Sequence, residues 1–235
     1  MNSFKFINQW LYSQSTMAEL PPTPSPPEVP RSARAELMDR RRLLLIFVVL
    51  VVELALFGVG LLTPLSNSAE QSLVNSTNSE FAGLQSAGPE QLAFSIFAHN
   101  FTIALIEMIP IVGAFLFVLS IYSTGLAAQA IVVSKGLPPA FGAIIFAFPY
   151  SLVELSAYAI AVGAGVMLLV SWRRKRLREE ARVFCLEVAA VAIVLLLAAT
   201  METATNFLPL VGFALWLPTG LAIAGIIVLA ARTRK

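Results

Sequence analysis

From Leu43 to Ala231 the chain is built of apolar blocks too long for the helices of a soluble domain, cut at intervals by short polar stretches. The first block, Leu43–Leu65, rises about 1.5 Å per residue as a helix and so crosses a hydrocarbon core of about 30 Å. Its one charged residue, Glu53, lies near the midpoint and is expected to face other helices. The apolar region from Leu92 to Lys135 exceeds one span and breaks naturally at Pro110 and Gly113, which predicts spans near 92–109 and 112–134. Beyond the turn Leu137-Pro138-Pro139, the stretch Ala140–Phe148 is apolar but too short to cross alone, and Pro149 interrupts it. The pattern there predicts a broken or re-entrant helix ahead of the fourth span, so that 140–171 is one span broken at Pro149. Blocks at 183–201 and 212–231 bring the total to about six, and the expected fold is all-α, a polytopic transmembrane helical bundle over 43–235.

Ahead of it, residues 1–42 read as a cytoplasmic N-terminal segment. Phe4, Phe6, Ile7, Trp10, Leu11 and Tyr12 suit a short helix lying in the membrane interface. Half of Glu19–Pro30 is proline, which predicts an extended linker, and Ser32–Arg42 is charged and helical in tendency. Between the first two spans, Asn67–Gln91 is rich in Ser, Asn and Gly, carries Glu70, Glu80 and Glu90, and has no Lys or Arg, so it belongs outside as a short helix or a mobile loop.

Composition agrees with the pattern: with 57% hydrophobic and 13% charged residues, the chain is a membrane protein. Net charge is only +2, but the distribution is informative, because every basic residue except Lys135 falls at 5–42, at 173–182 or in the tail from Arg232. With the amino terminus inside, three crossings between the acidic loop and Trp172 return the chain to the inside, and two more put the tail there as well. The localisation expected is therefore the cell membrane, multi-pass, with both termini cytoplasmic. Topology accounts for the basic clusters, so no nucleic-acid partner is expected. The expected partners are the lipid bilayer and other membrane proteins or further copies of the chain.

One cysteine, Cys185, excludes an internal disulfide, and one histidine, His99, excludes a multi-histidine metal site within one subunit. No HExxH, GxSxG or glycine-rich phosphate loop occurs. No metal, cofactor or enzymatic activity is expected.

The acids inside the spans are the candidate chemistry. In the helix beginning near Tyr150, Glu154, Ala157, Tyr158, Ala161 and Gly165 share one face whose small residues admit another backbone. A carboxylate there costs roughly 2.5 to 3.5 kcal/mol, so Glu154 is either an acid hydrogen-bonded between helices or a binding group. Asn100, Ala104 and Glu107 form a line down the second span, and the topology puts Asn100, Glu154 and Glu202 toward the outer leaflet, where they can form one polar cluster. His99, Glu107, Tyr150, Pro149 and Glu53 are secondary candidates, with His99 read as a packing residue.

These residues resemble the stage II sporulation protein M family. That family's Asn-Asn pair opening a span is similar to His99-Asn100. Its Pro-His-Gly followed by a Glu and small residues is similar to Pro149-Tyr150-Ser151 with Glu154, Ala157 and Gly163-Ala164-Gly165. Its later Ala-Ala, two residues and Glu is similar to Ala198-Ala199-Thr200-Met201-Glu202. Tyr150, Ser151 and His99 stand where the family has His, Gly and Asn. The resemblance implies a non-catalytic membrane subunit of the kind that organises cell-wall hydrolases in sporulating bacteria.

The function expected is an integral membrane scaffold or complex subunit that organises partner proteins at the cell membrane. The alternative is a proton- or cation-coupled transporter or channel using the intramembrane carboxylates. An intramembrane hydrolase needs an unfamiliar dyad such as Glu154 with Glu202 and ranks third.

Overall fold

Asp39 opens the first helix: its side chain accepts a hydrogen bond from the Arg41 amide at 3.4 Å, satisfying one of the donors that a helix start leaves free. The computed structural model describes residues 39–85, 88–221 and 223–224. The chain divides into two units, Met1–Arg31 and Ser32–Lys235. The first unit lies outside the described residues, and with it the interfacial helix and the whole of the proline-rich linker expected there.

The second unit is helical throughout its described part. In order it contains α1 (Arg40–Leu62), α2 (Asn67–Gln85), α3 (Pro89–Glu107), α4 (Val112–Ser134), a 3-10 segment (Pro139–Ala147), α5 (Pro149–Arg173), α6 (Leu177–Phe207) and α7 (Pro209–Ala214). Among the described residues four helices, α1, α4, α5 and α6, are long and apolar enough to cross a membrane, and Leu210–Leu221 is a shorter apolar stretch. Leu44, Phe47, Phe94, Phe115 and Ile193 all expose large apolar side chains, as a surface facing lipid does.

The segment between the first two expected spans is a continuous helix of 19 residues, neither a short helix nor a mobile loop. Ser66 Oγ accepts from the Ala69 amide at 3.3 Å and Glu70 sits in the first turn, where a carboxylate suits the helix dipole. α2 then packs mainly on α4. At the other end of the fold, α6 extends six residues beyond each side of the apolar block at 183–201. Arg178, Glu179 and Glu180 propagate a helix well while contributing nothing apolar to the pattern.

α1 and α4 cross where both are smallest. Buried positions recur every fourth residue on each, at Val49, Glu53, Phe57 and Leu61 and at Gly113, Phe117, Ile121, Gly125 and Gln129. A methyl group on Gly60 would run into the Tyr122 carbonyl oxygen, and one on Gly125 into the Phe57 carbonyl oxygen, so the two backbones touch. α5 is the central helix, flanked by α1, α6 and α3. Its Gly163-Ala164-Gly165 run is buried, and a methyl group on Gly165 would lie 2.7 Å from the Met108 carbonyl oxygen. α3 and α4 are joined by a tight turn in which Ile111 takes a positive φ of 69°.

Pro149 does not kink a helix. It stands in the first turn of α5, where the missing amide hydrogen costs nothing. Ahead of it, and separated from it by Phe148, the nine residues Pro139–Ala147 form a 3-10 helix. Two side chains cover its carbonyls: Ser151 Oγ donates to Ile145 O, and Trp216 Nε1 donates to Ala147 O, each at 2.8 Å.

Candidate functional site

Asn100 and Glu154 meet across the α3–α5 contact. The two helices run in the same direction, since Asn100 meets Glu154 and, further along both, Met108 meets Gly165. Asn100 Nδ2 donates to Glu154 Oε1 at 3.0 Å, and Tyr158 OH, one turn along α5, donates to the same oxygen at 3.2 Å. Asn100 and Tyr158 are buried and Glu154 is half-buried. Glu202 on α6 is also half-buried and interacts electrostatically with Glu154 and Tyr150, through charge and not through a hydrogen bond. Of the three residues expected to share an outer polar cluster, Asn100 and Glu154 are hydrogen-bonded, and Glu202 has no hydrogen bond to either.

The secondary candidates divide. Glu53 and Glu107 enter the same interior: their relative exposures are 0% and 2%, and none of their four carboxyl oxygens has a hydrogen-bond partner. Glu53 interacts electrostatically with Glu107 and Glu154, and Tyr158 with all three. Tyr150 stacks on Phe148 with ring centroids 5.8 Å apart. Pro149 is buried as the first residue of α5. His99 is exposed, because the helical rotation that buries Asn100 turns its neighbour outward.

A second polar network lies at the basic end of the bundle. Arg42 on α1 donates through Nη1 to Glu187 Oε1 at 2.5 Å and through Nη2 to Glu180 Oε1 at 2.6 Å, both on α6. Ser171 Oγ of α5 donates to Glu180 Oε2 at 3.1 Å. Arg42 is only 2% exposed, so the arginine read as a topology charge is also the tie between α1, α5 and α6. The one hint in the sequence is the spacing of Glu180 and Glu187, two turns apart on one helix face. Tyr158 as a partner of Glu154 was legible in the same way, as an i, i+4 pair.

The bundle, with polar side chains turned inward and large apolar ones outward, defines a helical membrane protein. Its sequence from residue 43 to residue 205 matches the family model for Stage II sporulation protein M. That match covers more than half of the chain, and the chain belongs to the stage II sporulation protein M family. No curated protein matches it, and no solved structure does.

Proposed function

We propose that the protein is a non-catalytic scaffold or complex subunit that organises partner proteins at the cell membrane. The observation carrying this reading is where the hydrogen bonds go. Asn100–Glu154–Tyr158 joins α3 to α5, and Arg42–Glu180–Glu187 joins α1 to α6, so the polar side chains hold helices to one another. The bundle's outer face, by contrast, offers apolar residues on α1, α3, α4 and α6, the surface against which another membrane helix packs by van der Waals contact. Family membership supports the same reading.

In this proposal the chain is multi-pass, with both termini cytoplasmic. The basic residues at 40–42 and 173–182 share the cytoplasmic side, and the Ser/Asn-rich α2 lies outside. α3 and the sixth span expected at 212–231, of which 222 and 225–231 lie outside the described residues, make the total six, and the 3-10 segment with α5 forms the broken fourth one. Photo-crosslinking residues placed at Phe94 and Phe115, both exposed, test the partner surface in the native membrane. The proposal expects a discrete cross-linked band of one composition from at least one site. Adducts to lipid alone at both sites overturn it.

A further inference from the structure

The hydrogen-bonded networks leave two acids unused. Glu53 and Glu107 are as buried as any side chain in the protein, and a carboxyl group has lone pairs or a proton to satisfy in either charge state. Neither finds a partner. Arg42 is the one buried basic side chain among the described residues, and it is bonded to Glu180 and Glu187 at the far end of α6. Two carboxyl groups buried in one interior with neither a cation nor a hydrogen-bond donor are costly to charge together, so what they hold most cheaply is a proton. A metal ion fits less well: among the described residues no three His, Cys, Asp or Glu side chains converge as its ligands.

The groups around the pair extend it in both directions. Facing it are Tyr158 and Glu154 from α5, and beyond Glu154 come Glu202 from α6 and Tyr150. On the other side, Glu107 lines a crevice of about 360 Å³ between α3 and α4, together with the hydroxyl-bearing Ser120 and Ser123 and four Ile and Leu side chains. Glu107 also adjoins the α3–α4 turn. Gly165 abuts Met108 of that turn and precedes Arg173 by eight residues, so the turn stops about 12 Å short of the basic end of α5. Backbone that turns at membrane depth is stable where protein or water covers it, and the crevice is the opening beside this turn. Glu53 lies seven residues along α1 from Ile46, the residue against Gly163, and so bridges the two levels.

We propose that Glu53 and Glu107, with Tyr158 and Glu154, form a proton relay through the core, running from the Glu154–Glu202 end to the crevice beside Glu107. This goes beyond the scaffold reading and does not depend on it. The transfer is of protons alone: one enters at Glu202 and Glu154, passes by way of Tyr158 and Glu53, and leaves from Glu107.

The test uses the full chain in vesicles of phosphatidylethanolamine and phosphatidylglycerol with an entrapped pH dye. A potassium gradient with valinomycin drives protons across. The relay predicts dye response faster than in protein-free vesicles, falling to the protein-free rate in Glu53→Gln and in Glu107→Gln, with Glu53→Asp retaining part of it. Glu90→Gln, at an exposed position on α3, keeps the wild-type rate. Size-exclusion profiles matching wild type confirm that each variant is folded. A wild-type rate equal to that of protein-free vesicles overturns the relay, as does a wild-type rate in both glutamine variants. Either failure leaves the scaffold reading standing, since that is read from partner association.

Discussion

Arg42→Met should be among the most destabilising single changes in the protein. The guanidinium bonds two carboxylates and is itself buried, and Glu187 beyond it is 2% exposed. Methionine keeps much of the side-chain length and removes the charge, so Glu187 is left as a buried carboxylate without a cation. Breaking one partner of such a set costs about 3–5 kcal/mol, whereas an exposed ion pair is worth about 0.2–1 kcal/mol. Hydrogen bonds between helices inside a membrane average about 0.6 kcal/mol, so a loss of several kcal/mol is diagnostic of stranded charge. The network is not fully satisfied, because Arg42 Nε and Glu187 Oε2 lack partners. Its net worth over an apolar replacement is therefore small, and Arg42→Met combined with Glu187→Leu should regain most of the loss. The assay is reversible unfolding in mixed micelles with increasing denaturing detergent, with Arg40→Met as the exposed control. If Arg42→Met unfolds at the same detergent fraction as Arg40→Met, the ion network does not hold the bundle and the reasoning fails.

Two further predictions follow from the packing and from the Asn100–Glu154 bond. Gly125→Ala places a methyl group on the Phe57 carbonyl and should cost about 1–3 kcal/mol by overpacking, while Gly58→Ala, which meets open space, should be neutral or stabilise by up to about 1 kcal/mol; the same unfolding assay separates them. A double-mutant cycle of Asn100→Ala and Glu154→Ala should give a coupling of about 0.6 kcal/mol and no more than about 1.7 kcal/mol, and zero coupling would mean the 3.0 Å contact contributes nothing.

What could be read from the sequence was whatever hydropathy and charge sidedness encode. The boundaries of α4, Val112–Ser134, are those that Pro110 and Gly113 imply. The meeting of Asn100 and Glu154 came from counting crossings, since it needs only the depth of each residue and the direction of its helix. Helix rotation carries information that depth does not: His99 and Asn100 sit at nearly one depth, yet one is exposed and the other buried. The length of α2 escaped because its many Ser, Thr and Asn residues are poor helix formers, and its helix is supported by the Ser66 cap and by packing against α4. Arg42 escaped for a different reason. Its partners lie 138 and 145 residues away, and a basic residue at a membrane edge already has a sufficient explanation in topology. Glu53 and Glu107 were visible as buried acids, but that they share one interior required the helices to be assembled.

The scaffold reading is tested most directly by native mass spectrometry of the protein extracted from its own membranes in mild detergent. A complex of the chain with a second protein in fixed stoichiometry is the predicted result, and that protein's identity names the process served. Recovery solely as a monomer, or as copies of this chain alone, contradicts the account.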